Sequence, residues 1–189
     1  MTEIVFFVLA FLAGLLVKVV DWMEDDRKTS IWTKMPLALA YGLLIGYIIS
    51  AASFGLIFLG ALLAQVLARK IDTTSHRFGF LIAIFSLLFL GFPEINIIVL
   101  LYFMILAFLD EEDYIGKLRP LTEYRPFLKI GSVLMIILGR WDYFLAIILF
   151  DIGYELFNFI SKKTKEKKEK ENYGGRVRFR TKVPVQRKR

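Results

Sequence analysis

Two stretches of this chain share an order that could do chemistry. Lys18-Val-Val-Asp21-Trp-Met-Glu-Asp25 and Arg69-Lys-Ile-Asp72-Thr-Thr-Ser-His76 each read as a base, an acid three residues on, and an acid or histidine at the seventh. On a helix those positions fall on one face. A third cluster, Asp110-Glu-Glu-Asp113, is followed by Arg119 and Arg125. Carboxylate oxygens at such spacing suit hard divalent ions, so Asp21, Asp25, Asp72, Asp110 and Asp113 are the expected ligands for Mg²⁺ or Mn²⁺. An ion held this way keeps water sites open and binds phosphate, which Lys18, Arg69, Arg119 and Arg125 would neutralise. The competing reading is a set of solvated charges at helix ends, each pair contributing little. His76, the only histidine, is more often an interfacial polar residue than a ligand.

A second set lies in an apolar setting. Phe150-Asp-Ile-Gly-Tyr-Glu-Leu puts Asp151 and Glu155 four residues apart, on one face of a helix. An acid inside a membrane-length apolar segment is costly without a partner, water or a proton. These two residues are therefore the expected ion or proton site of a transporter or channel. A structural hydrogen bond to another helix is the alternative.

The elements that must position these groups follow from hydropathy. Of 189 residues, 57% are hydrophobic, and they gather in blocks that show no polar face. The apolar blocks are 4–20, 35–50, 53–68, 78–92, 95–109, 127–139 and 143–160. A membrane span needs roughly 17–25 residues, so these predict an all-α transmembrane bundle of seven short helices. Six spans, with the last one broken near Gly139, is the alternative. Ala38, Gly42, Gly46 and Ser50 on the second block, and Gly60, Ala64 and Ala68 on the third, recur every four residues. That spacing predicts that those two helices pack closely on each other. Pro36 suits a helix start, and Asn96 suits an interhelical hydrogen bond.

The connections alternate between short neutral turns and longer charged loops. Setting the charged loops inside leaves Arg140 as the one external base among 25 Lys and Arg residues. The positive-inside rule then gives a multi-pass protein of the cell membrane, N-terminus outside and C-terminus cytoplasmic. The chain divides into a helical domain, 1–161, and a basic tail, 162–189. The tail carries 13 basic and three acidic side chains, and Gly174-Gly175 is expected to end any helix extending into it. Its expected partner is the anionic headgroups of membrane lipids; nucleic acid is the weaker reading. The absence of cysteine excludes disulfides and thiol chemistry.

Three functions fit. The first is a cytoplasmic-face site, Mg²⁺-dependent, acting on a phosphorylated lipid or isoprenoid. The second is ion- or proton-coupled transport through Asp151 and Glu155. The third is a non-enzymatic scaffold working through its tail. Whether the chain is an enzyme, and whether it forms a homo-oligomer, the residues leave open.

Overall fold

A computed structural model describes residues 3–25, 29–115 and 118–180; the end of the basic tail, 181–189, lies outside the described residues. Those residues form an all-helical fold without strands. The helices are α1 (Glu3–Asp25), α2 (Ile31–Ala51), α3 (Gly55–Leu67), α4 (Thr74–Leu90), α5 (Ile97–Glu111), α6 (Arg119–Tyr124), α7 (Pro126–Ile137) and α8 (Trp141–Arg180). The described helices number eight, not seven, because the loop after Asp110 folds into the short α6. Pro120 and Pro126 sit in the first turns of α6 and α7, where a missing N–H costs nothing.

Turn chemistry sets several boundaries. Thr73 caps α4 by accepting from the His76 N–H. Asn96 bonds its own chain rather than a neighbouring helix: its Oδ1 accepts from the Ile98 and Val99 N–H groups, capping α5. Pro36 lies inside α2, five residues past the start at Ile31. Gly139, at φ 75°, turns the chain back, so α7 and α8 form a hairpin and not one broken helix. α8 runs on through Gly174 and Gly175, where an end was expected.

Successive long helices alternate in direction. One end of the bundle gathers the C-termini of α1, α3 and α5 with the N-termini of α2, α4 and α7; the charged clusters put it here as the basic end. Around the bundle, α1 packs on α8, α8 on α7, α7 on α5, α5 on α3, α3 on α2 and α2 on α1, closing a ring of six helices. The remaining long helix, α4, packs against α2.

Small residues set the closest approaches, but between other partners than the repeat suggests. Gly42 and Gly46 meet Gly79, Ala83 and Ser86 of α4, and Gly60 meets Phe103 and Met104 of α5. α2 and α3 touch only lightly, because each turns its small-residue stripe to a helix later in the chain. The tightest contact joins the first and last helices: a side chain on Gly14 would strike the Phe150 carbonyl, and one on Gly153 the Phe11 carbonyl.

The outer surface is apolar. Phe89 is 88% exposed and Ile137 80%, and Leu88, Ile98 and Leu138 are exposed beside them. A soluble protein rarely shows such continuous apolar surface. Glu3–Asp25, Ile31–Ala51 and Trp141–Thr164 are long and apolar enough to cross a membrane.

Candidate functional site: an amphipathic cavity and an adjoining histidine–aspartate network

Inside the helix ring lies a cavity of about 610 Å³. Its character changes along the bundle axis. Away from the basic end its walls are Ile57 and Phe58 of α3 with Ile147 and Phe150 of α8. Toward the basic end they carry Lys18, Arg125, Lys129, Asp110, Glu111, Asp151 and Glu155. The gradient follows from helix direction, since α1, α3, α5 and α8 all run from apolar to charged sequence as they approach that end.

Most of these charges have partners. Asp151 meets Lys129 Nζ at 2.9 Å, and Glu111 meets Arg125 at 3.2 Å. Asp110, only 5% exposed, accepts from the backbone N–H groups of Phe127 (2.9 Å) and Leu128 (2.7 Å). It thus caps α7 from another helix, satisfying donors that a helix start leaves open. Among the described residues, the exposed Glu155 accepts from the side-chain amide of Asn158, at 3.1 Å. Arg125 has a left-handed backbone, φ 44°, at the junction of α6 and α7, a conformation that costs a non-glycine residue energy.

A smaller cavity of about 240 Å³ adjoins the first and shares Tyr154, Arg125, Glu111 and Gln65 with it. Its wall holds a hydrogen-bonded chain. Lys18 Nζ donates to Tyr154 Oη at 3.1 Å, and Tyr154 donates to Asp21 Oδ2 at 2.8 Å. Asp21 Oδ1 lies 2.9 Å from His76 Nε2, and His76 Nδ1 lies 3.2 Å from Tyr41 Oη. Tyr41 has one proton and a second acceptor, the Ser75 carbonyl, at 3.3 Å. With that proton on the Ser75 carbonyl, Tyr41 Oη can accept from a protonated Nδ1, and a ring that donates there and to Asp21 is an imidazolium. If it goes to Nδ1, the ring is neutral. The rotation lets Tyr41 serve either state, but the change between them needs one further proton, taken up by the ring from solvent. Beside the chain, Ser75 donates to Glu24 at 2.6 Å, and Lys34 pairs with the same carboxylate, tying α1, α2 and α4 together.

The expected metal ligands are not brought together. Asp21 faces His76 and Tyr154, Asp110 faces α7, Asp113 pairs with Lys70 at 2.8 Å, and Asp25 and Asp72 are exposed. Among the described residues, no three His, Asp or Glu side chains gather as a cation site. Of the expected phosphate ligands, Lys18 and Arg125 line the large cavity, while Arg69 and Arg119 are exposed away from it. Asp151 and Glu155 line the same cavity as Lys18 and Arg125. Residues assigned from sequence to two different functions thus share one space.

No protein-family model, curated protein or solved structure matches this chain. The site must be read from its own chemistry.

Sequence reasoning passed over Tyr154, Tyr41, Lys129 and Glu111, and gave His76 little weight. The base–acid–acid/His order singled out His76, but 69–73 is the link between α3 and α4, so Arg69, Asp72 and His76 share no helix face and His76 reaches Asp21 from the first turn of α4. Nothing in the sequence pairs either with Tyr154, 133 positions away from Asp21.

At the opposite end, Arg140 closes a separate cluster. Its guanidinium donates to Asp142 at 2.8 Å and to the Ser53 carbonyl at 2.7 Å, and the single Ser53 hydroxyl proton has two acceptors in reach, Asp142 at 2.9 Å and Glu3 at 3.2 Å. The Asp142 bond holds the Arg140 pKa above its ordinary value. The cluster joins α1, the α2–α3 turn and the α7–α8 turn.

Proposed function

We propose that this chain is a multi-pass protein of the cell membrane that binds a phosphorylated amphiphile, a lipid or isoprenoid, in its central cavity. The carrying observation is the polarity gradient of that cavity. Its volume falls within the roughly 300–1,000 Å³ of ordinary ligand pockets, much more than a bare ion needs. An apolar tail would lie along Phe58, Ile147 and Phe150, with its phosphate against Lys18, Arg125 and Lys129. The His76–Asp21–Tyr154 chain offers proton transfer one helix face away from that head.

In this reading the basic end is cytoplasmic. The polybasic tail beyond Lys162 lies against anionic headgroups, each basic residue contributing about 1 kcal/mol near the surface. The cavity head then stands at the depth of the inner leaflet's phosphates.

The test is native mass spectrometry of protein released from mild detergent. A bound species of defined mass is expected on the wild type, and it should vanish from Lys18→Ala/Lys129→Ala while the gel-filtration profile is unchanged. Equal occupancy on both proteins refutes the proposal. A second reading, ion-coupled transport, draws on the Asp151–Lys129 pair in the cavity wall. It predicts ion uptake into proteoliposomes that disappears in Asp151→Asn.

A further inference from the structure

Resting on the amphiphile reading, we infer that the ligand's head is zwitterionic, an ammonium beside a phosphate. The ground is the charge balance of the cavity's polar half. Three cations line it, Lys18, Arg125 and Lys129, and three carboxylates stand among them, Glu111, Asp151 and Glu155. The fourth acid, Asp110, is committed to the α7 backbone.

A phosphate can enter only by competing with the pairs already formed. Drawing Arg125 toward it weakens the bond to Glu111; drawing Lys129 weakens the bond to Asp151. Each released carboxylate then faces the incoming anion at close range, a repulsion that the partial exposure of Arg125, Lys129 and Asp151 reduces but does not remove. A purely anionic head would therefore work against itself here. An ammonium on the same head resolves this, because it takes up the carboxylate that the phosphate displaces.

Glu155 sharpens the assignment. It is exposed where it lines the cavity one turn beyond Asp151, and among the described residues it accepts from a neutral amide. Asp151 and Glu155 thus form an acidic strip on α8, flanked by Lys18 of α1 and Lys129 of α7, the helices on either side of it in the ring. A head with both charges spans that arrangement. Selectivity arises because a head lacking the ammonium leaves carboxylates unpaired.

The experiment is a native mass spectrometric titration of the full chain with four probes. Three have matched acyl chains: phosphatidylethanolamine, the same lipid with its amine acetylated, and phosphatidic acid. The fourth is O-phosphoethanolamine, which has the head and no chains. Phosphatidylethanolamine is expected to bind about tenfold more tightly than either lipid lacking the ammonium. In Glu155→Gln that preference should shrink, with phosphatidic acid binding as well as before or better. The acetylated lipid needs no variant, so the comparison survives if Glu155→Gln fails to fold. Should O-phosphoethanolamine match the lipid, the head assignment stands and the ligand is a soluble compound. Equal or tighter binding of the acetylated lipid or phosphatidic acid overturns the zwitterionic head and leaves the amphiphile reading intact. No saturable binding of any probe, with no copurifying species on the wild type, removes both.

Discussion

Asp110→Ala isolates the role of a buried acid that the sequence alone assigns to a metal. In the structure its two oxygens hold the Phe127 and Leu128 N–H groups at the start of α7. Removing the carboxylate strands two donors where α7 offers no internal acceptor. Losing a helix cap costs about 1 kcal/mol, and a hydrogen bond to a charged group about 1.5–3 kcal/mol. These overlap, so we expect a loss of about 2–3 kcal/mol. For a chain of this size that lowers Tm by about 5–10 °C. Asp110→Asn keeps an acceptor oxygen and gives up the charge and its attraction to the helix dipole, a loss of about 1 kcal/mol or less. Thermal unfolding in one detergent ranks the three proteins, and hydrogen exchange localises the effect, with residues 127 and 128 exchanging faster in Asp110→Ala. An Asp110→Ala protein melting within about 1 °C of wild type, with unchanged exchange at those amides, would refute the capping argument.

Other outcomes follow from named contacts. Millimolar Mg²⁺ against EDTA should leave the wild-type Tm unchanged within about 1 °C, because Asp21 and Asp110 are already held by protein donors; a clear rise lost in Asp21→Asn would restore the metal site. Gly14→Leu should abolish a monodisperse gel-filtration peak, since its side chain must enter the Phe150 backbone, whereas an exposed change such as Leu88→Ala should not. Tyr154→Phe removes the hydroxyl between Lys18 and Asp21 and should lower stability by about 1–2 kcal/mol, read from the same melts. The chain has no cysteine, so single cysteines report topology directly: Glu94→Cys should react with an impermeant maleimide on intact cells, and Asp72→Cys only after permeabilisation.

Hydropathy made the helical class and most helix positions legible, because each block carries its own signal within about 20 residues. Pairwise packing was not legible. The glycine stripe of α2 announces a close neighbour without saying which, and the structure gives it to α4. Local chemistry was misjudged where two roles share a residue type: Asn96 serves as a cap, and Asp110 serves one too, but for a helix 16 residues further on. The cavity was half legible. Lys18, Arg125, Asp151 and Glu155 were each singled out, yet for separate reasons. Only the ring order shows that they face one another, and ring order depends on contacts between segments more than 100 residues apart.

The pairing of α1 with α8 has a consequence for how the molecule is made. The ring cannot close until its final helix has left the ribosome, since α1 must wait for Gly153 to arrive beside it. α8 also supplies Phe150, Asp151, Tyr154 and Glu155, so until then the cavity lacks one of its walls and the histidine network lacks Tyr154. Until then the face of α1 around Phe11, Gly14 and Leu15 lacks its partner helix. A chain stopped after α7 would carry an open, incomplete trough. Completion of the last helix is thus the step at which the trough becomes a closed ring around the cavity.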